Sequence, residues 1–233
     1  MTGHVVLTGA AGAIGGAIAR AIRARSGSTR ITAVDRDRSG LRAIADAVGA
    51  RAIEVDLAEP GVAARIVAEA WDEAPIDGLV NAAGFMEVHP FEALRWDRGA
   101  ELLQVDLVAP LHLMHAAVGA MLEAGRGGTV VNVTSMAGVA PLKGCTFYGA
   151  AKAGLAMASE IARAELADRG IHVLTVYPGP VASGLERGAR AQYRPSRIAG
   201  MVPTGSPEVL AARILAAVDR RAARVVYPRW YAL

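Results

Sequence analysis

The sequence predicts an α/β fold, a single doubly wound parallel sheet of about seven strands with helices on both faces. Three observations carry this expectation. Short apolar runs alternate with helical patterns from one end of the chain to the other, the pattern of parallel strands joined by helical crossovers. The strand-like runs are apolar at nearly every residue rather than every second one, as in strands buried on both faces. Hydrophobic residues make up 53% of the 233-residue chain, enough for a sizeable core and too many for a disordered chain.

The elements follow in order. Residues 4–8 read as a strand and 13–25 as a helix with arginines at its C-terminal end, where the helix dipole favours cations. A second strand is expected over 30–34, a helix over 41–48 and a third strand over 52–55. Glu59-Pro60 opens a helix to about Trp71, with proline placed early, where its missing N–H costs nothing. A fourth strand covers 77–80. Residues 92–123 read as one long helix interrupted near Pro110. Residues 128–133 form the fifth strand, 147–169 a long helix, 171–177 the sixth strand, 207–220 a helix and 224–227 a short last strand. The expected strand order is 3-2-1-4-5-6-7, with ligands at the C-terminal edge of the sheet. No repeat or linker interrupts the chain, so residues 1–233 read as one domain. The one long irregular stretch is 182–206, and a loop of that length in a compact domain is usually functional or disordered.

Composition excludes several classes. The formal net charge is only +3, which is no nucleic-acid footprint. One cysteine, Cys145, excludes an internal disulfide or a multi-cysteine metal site, and no metal is expected. The N-terminus enters a strand at once and lacks the regions of a signal peptide, so a cytoplasmic location is expected. The longest apolar candidate, 107–122, contains Pro110, His112 and His115, so no membrane span is expected. Of 25 basic residues only Lys143 and Lys152 are lysine.

The first strand leads into the first helix through Thr8-Gly9-Ala10-Ala11-Gly12-Ala13-Ile14-Gly15. Glycines there permit a tight turn and let backbone N–H groups approach a pyrophosphate at the helix N-terminus. Asp35 ends the second strand, about 20 residues beyond Gly15, where a carboxylate reaches the adenosine ribose hydroxyls. It would repel a 2′-phosphate, which favours NAD(H); Arg36 and Arg38 beside it keep NADP(H) open. Asp56 ends the third strand and can reach the adenine edge.

Tyr148 and Lys152 lie four apart on the expected helix and share a face. Tyrosine titrates near pH 10, and an adjacent ammonium stabilises its phenolate. Such a tyrosine can pass a proton to or from an alcohol oxygen while hydride moves at the carbon. Ser135 ends the fifth strand, and its hydroxyl can hold the same oxygen.

In these segments, together with Val55-Asp56-Leu57, Asn81-Ala82-Ala83-Gly84, residues 132–138 and Tyr177-Pro178-Gly179-Pro180-Val181-Ala182-Ser183, the chain resembles the short-chain dehydrogenase/reductase family in its single-domain, Rossmann-like form. The resemblance runs along essentially the whole chain. It implies NAD(P)-dependent interconversion of a secondary alcohol and a carbonyl compound. Ser135 would polarise the substrate oxygen, Tyr148 would be the acid/base, and Lys152 would bind nicotinamide ribose and lower the tyrosine pKa. Asn81 would stabilise the central strand and the cofactor site, and Pro178, Gly179, Val181 and Ser183 would lie along the nicotinamide.

Three departures stand out. Ala13 occupies a position that is usually glycine in the single-domain pattern, so the loop equally reads Thr-Gly-x-x-Gly-x-x-Gly, typical of two-domain sugar epimerases and dehydratases. Ser183 replaces a threonine. Asp106 takes the place of an asparagine that holds a water linking the lysine to solvent. An anion there disfavours phenolate, which leads us to expect a reductase. The rivals are an epimerase or dehydratase, disfavoured by the missing second domain, and a non-catalytic dinucleotide sensor, which typically lacks the tyrosine or the lysine.

The loop 182–206 carries Arg187, Arg190, Arg194 and Arg197 against Glu186, which suits an acidic substrate or simply a solvated loop. Met86, Met136, Val139, Leu142, Cys145, Phe147 and Pro180 are candidate pocket walls, mostly apolar. His89 reads as a surface or packing residue. The resemblance also implies a homodimer or homotetramer through the two long helices, and the aromatic end at 229–233 could seal a subunit contact or the substrate entrance.

Overall fold

The computed structural model describes residues 1–184, 188 and 204–228. Seven parallel strands form one sheet: β1 (His4–Thr8), β2 (Arg30–Asp35), β3 (Arg51–Glu54), β4 (Gly78–Asn81), β5 (Gly128–Val133), β6 (Ile171–Pro178) and β7 (Arg224–Tyr227). Their order is β3-β2-β1-β4-β5-β6-β7. The expected fold is therefore borne out. β1, β4 and the last four residues of β5 are buried throughout, which is why their sequences show no polar alternation.

Helices cover both faces. α1 (Ala13–Arg25), α2 (Arg38–Val48) and α7 (Pro207–Asp219) lie on one side, where Ile18, Ile22, Leu41, Leu210 and Ile214 close over Leu7, Ile31 and Leu174. α3 (Val62–Glu73) and α5 (Ala109–Glu123) pack on the other, where Ile66, Leu113 and Met121 meet Val6, Leu79 and Val130. α6 (Thr146–Leu166) joins that face through Leu166.

Two helix boundaries differ from expectation for identifiable reasons. α2 begins at Arg38 because Asp37 caps it, its side chain accepting from the N–H groups of Ser39 and Gly40. α3 begins at Val62, not at Pro60, because Gly61 adopts φ 72°, outside helical space.

The expected long helix is three segments: α4 (Trp96–Leu103), a π-helical turn (Gln104–Val108) and α5. The irregularity lies before Pro110, not at it. Proline has no N–H to donate to the carbonyl of residue 106, so the ladder slips to wider i→i+5 spacing one turn earlier. The N–H of Ala109 accordingly bonds the carbonyl of Gln104. Residues 96–123 together are long and apolar enough to cross a membrane, but half of their apolar 18-residue window is buried inside the fold, as for a core helix.

Candidate active site

The first three strands in the sheet's centre deliver the site to one edge. β1 ends in Thr8, β4 in Asn81 and β5 just before Thr134 and Ser135. The Thr8 hydroxyl accepts from the N–H of Ala83 at 3.4 Å and ties the first loop to the loop after β4. Gly9 sits at φ 70°, and a Cβ there would lie 2.6 Å from the nitrogen of Ala83. A Cβ at Gly15 would collide with the carbonyl of Gly9. The working glycines are therefore 9, 12 and 15. Ala13 opens α1 without needing glycine's freedom.

Between these loops lies a cleft of about 280 Å³, lined among others by Gly9, Ala11, Gly12, Asp35, Arg36, Asp56, Leu57, Ala82, Ala83 and Gly84. These residues were expected from the sequence. Val34, Asp37, Val55, Phe85 and Val105 line it too, and of these only Val55 belongs to a motif that the sequence marked. A dinucleotide fits this cradle by chemistry. Gly12 caps α1 with no side chain, and the first turn of the helix carries no acid. Its unpaired N–H groups and positive dipole end are open to a phosphate.

The acidic rim is ordered by its own hydrogen bonds. Asp35 accepts from the N–H of Ala11 at 2.9 Å and of Asp37 at 3.0 Å. Arg36 turns to Asp56 at 3.2 Å and Glu101 at 3.9 Å, and lies over the Phe85 ring. Arg38 pairs with Glu54 at 2.8 Å. Asp56 also accepts from the N–H of Ala58 at 2.9 Å.

At the other end, Tyr148, Lys152, Ser135 and Asp106 come together. The Ser135 hydroxyl accepts from the N–H of Ala137 at 3.1 Å and lies close enough to Tyr148 to favour its phenolate. The Lys152 ammonium is 2.8 Å from Asp106 Oδ1 and 3.4 Å from the carbonyl of Val133. Asp106 Oδ2 accepts from the N–H of Phe85 at 3.0 Å. Burial pushes the Asp106 carboxyl up, against the pull of Lys152. Burial works to lower Lys152, but Asp106 and Tyr148 outweigh it and raise the ammonium. Tyr148 is raised too, by burial first and by Asp106, against Lys152 and Ser135. The sequence expectation that Lys152 lowers the tyrosine pKa is thus right for that one interaction, while the net shift is upward.

A polar ladder locks α6 onto the sheet. Asn81 donates to Asn132 Oδ1 at 2.8 Å and to the carbonyl of Pro110 at 3.1 Å. Asn132 donates to Ser159 at 2.8 Å, and Ser159 to the carbonyl of Leu155 at 2.6 Å. The helix that carries Tyr148 and Lys152 is thereby fixed against β4 and β5, with Asn81, Asn132 and Ser159 all buried.

Residues 3–194 match the profile of the short chain dehydrogenase family. The chain belongs to that family. D-threitol dehydrogenase of Mycolicibacterium smegmatis is 34% identical over 95% of this chain and 88% of its own length. The 3-oxoacyl-[acyl-carrier-protein] reductase FabG of Escherichia coli is 29% identical over 86% of this chain and 82% of its own. Among solved structures, a short-chain dehydrogenase from Sphingobium yanoikuyae in complex with NADPH superposes with a TM-score of 0.85 at 26% identity, covering 99% of this chain and 91% of that one. This short-chain dehydrogenase is accordingly an NAD(P)-dependent oxidoreductase interconverting an alcohol and a carbonyl compound.

Other expected residues fall as follows. Pro178 ends β6, and the N–H of Gly179 bonds the carbonyl of Tyr227 at 2.7 Å. Val181 is buried and bridges to Gly205, and Ser183 is half-buried. Cys145 is buried, its sulfur 4.0 Å from that of Met86, and burial pushes its thiol up. Phe147, expected on the pocket wall, instead packs on Phe91 and Trp96. His89 pairs with Glu87 at 3.5 Å. Glu186, the four loop arginines and residues 229–233 lie outside the described residues.

Proposed function

We propose that this short-chain dehydrogenase uses NAD(H) to reduce an apolar ketone. The observation that carries the reading is the convergence of Ser135, Tyr148 and Lys152 at the strand edge beside the dinucleotide cleft. When bound, the cofactor supplies the hydride that adds to the carbonyl carbon. Ser135 orients the carbonyl oxygen, and Tyr148 gives that oxygen the phenolic proton. Lys152 stays charged and keeps the deprotonated tyrosine from being an unpaired buried anion. Asn81 acts through the ladder that fixes α6.

Three supports favour NAD(H). The Asp35 carboxyl stands on the cleft rim, held by two backbone N–H groups. Arg36 is shared between Asp56 and Glu101. Arg38 is paired with Glu54. Neither arginine is free of a carboxylate that competes with a 2′-phosphate. The apolar substrate is supported by Met86 and Met136, half-buried, and by Val139 and Leu142, exposed near Ser135 and Tyr148. Exposed Val108, Met157 and Ile161 on the helical side support self-association there.

The test is NADH oxidation with a ketone panel, with NADPH in parallel. Turnover of apolar ketones with NADH, lost in Tyr148→Phe, is expected. Cofactor binding without turnover on any ketone or alcohol would contradict the reading.

A further inference from the structure

Asp106 is the most deeply buried charged side chain of the site, at 0% exposure, and it sits in the one turn where the helix leaves α geometry. The wider turn sets its carboxylate between two donors. Oδ1 meets the Lys152 ammonium, itself 5% exposed at the side chain, and Oδ2 takes the N–H of Phe85. Gly84 makes room for this: a Cβ there would collide with Asp106 Oδ1 and stand 3.2 Å from Lys152 Nζ. Asp106 meets Lys152 directly, at 2.8 Å.

Resting on the catalytic roles given above, we propose that Asp106 is a positioning residue that sets the pH range over which Tyr148 can give up its proton in carbonyl reduction. It anchors Lys152 and neutralises the ammonium's charge, so that Tyr148 holds its proton to higher pH and reduction extends further into the alkaline range.

The charge count shows why. With Asp106 ionised and Lys152 protonated, the buried group is neutral while Tyr148 is a phenol and carries one net negative charge once it is a phenolate. Were residue 106 uncharged, the same two states would carry +1 and 0. A buried net anion is the more costly end state, because the interior solvates it poorly. The other groups facing this cluster do not restore the balance. Ser135 and the Phe85 N–H are neutral donors, and Cys145, whose thiol burial holds protonated, adds no cation. Arg98 stacks on the Phe85 ring at 4.3 Å, but its charge is matched by Glu87 at 2.7 Å and Glu101 at 2.6 Å.

Reduction consumes the phenolic proton, so its rate falls as pH rises through the tyrosine midpoint. Oxidation needs the phenolate, so its rate climbs through the same midpoint. An anion at 106 moves that midpoint up, widening the range of reduction and pushing oxidation to alkaline pH.

The experiment compares wild type with Asp106→Asn. Tyrosinate absorbance is titrated in the cofactor-free protein, each form against its own Tyr148→Phe partner so that the other four tyrosines cancel. Rates of both directions are then followed against pH. The wild-type Tyr148 midpoint should lie above the ordinary tyrosine value of about 10. Asp106→Asn should lower it, and both rate midpoints with it, by about one pH unit or more. A purely structural residue would lower Tm and kcat and leave the midpoints in place. Midpoints unmoved or raised in Asp106→Asn, or a wild-type midpoint at or below about 10, would overturn the proposal; the latter reading needs no folded variant. If Tyr148→Phe turns over ketones like wild type, the catalytic reading itself falls, an outcome separable from unmoved midpoints in an enzyme that still requires Tyr148.

Discussion

The two ends of the cofactor cleft use the same chemistry, carboxylate against cation, in opposite settings. At the adenosine end the pairs Arg36–Asp56 and Arg38–Glu54 lie at the surface, with the Arg38 side chain 83% exposed. At the catalytic end Lys152 and Asp106 are sealed from water. Exposed pairs of this kind are worth about 0–1 kcal/mol, whereas removing one partner of a buried pair typically costs about 3–5 kcal/mol. On the readings proposed above, the rim selects among cofactors at little energetic cost, while the buried pair bears on the stability of the site and on the proton state of Tyr148.

Perturbations sharpen this contrast, starting with the most disruptive. Tyr148→Phe removes the proton donor and should cut kcat by about 10²–10⁴-fold, with a Tm close to wild type; an unimpaired kcat would remove the buried end from the chemistry. Asp106→Ala leaves Lys152 without its anion and should lower unfolding stability by about 3–5 kcal/mol, read by denaturant titration. A loss below about 1 kcal/mol would make the buried pair no different from the rim. Asp35→Asn takes the anion from the rim and should improve NADPH binding relative to NADH by about tenfold, measured by cofactor fluorescence. An unchanged ratio would move selection elsewhere. Arg38→Ala, at the exposed limit, should alter stability by less than about 1 kcal/mol.

The two ends also differed in how far they could be read from sequence. The rim was legible: the glycine loop, Asp35 and Asp56 are set by local order, each at or beyond the end of a strand whose apolar run marks it. β5 and β7 fall at the expected residues, 128–133 and 224–227, each marked by a pair of valines, Val130-Val131 and Val225-Val226, at its centre. The catalytic end was legible in its parts and not in its contacts. Tyr148 and Lys152 are a helical turn apart, so their pairing follows from periodicity. Asp106 and Lys152 are far apart in sequence, and their direct contact depends on a π turn that 3.6-residue periodicity cannot reveal. Pro110 marked the irregularity but displaced it by one turn, since proline disturbs the ladder N-terminal to itself. Phe85 likewise looked like filler after Gly84, yet its N–H fixes the second oxygen of Asp106 and its ring lies beneath both Arg36 and Arg98.

The contrast between the ends is tested most directly by the pH dependence of ketone reduction in Asp106→Asn and Asp35→Asn measured side by side. The alkaline limb should shift to lower pH by about one unit or more in Asp106→Asn and stay at the wild-type position in Asp35→Asn. A limb that moves equally in both, or in neither, would contradict the division of labour between a buried pair that sets the proton and an exposed rim that selects the cofactor.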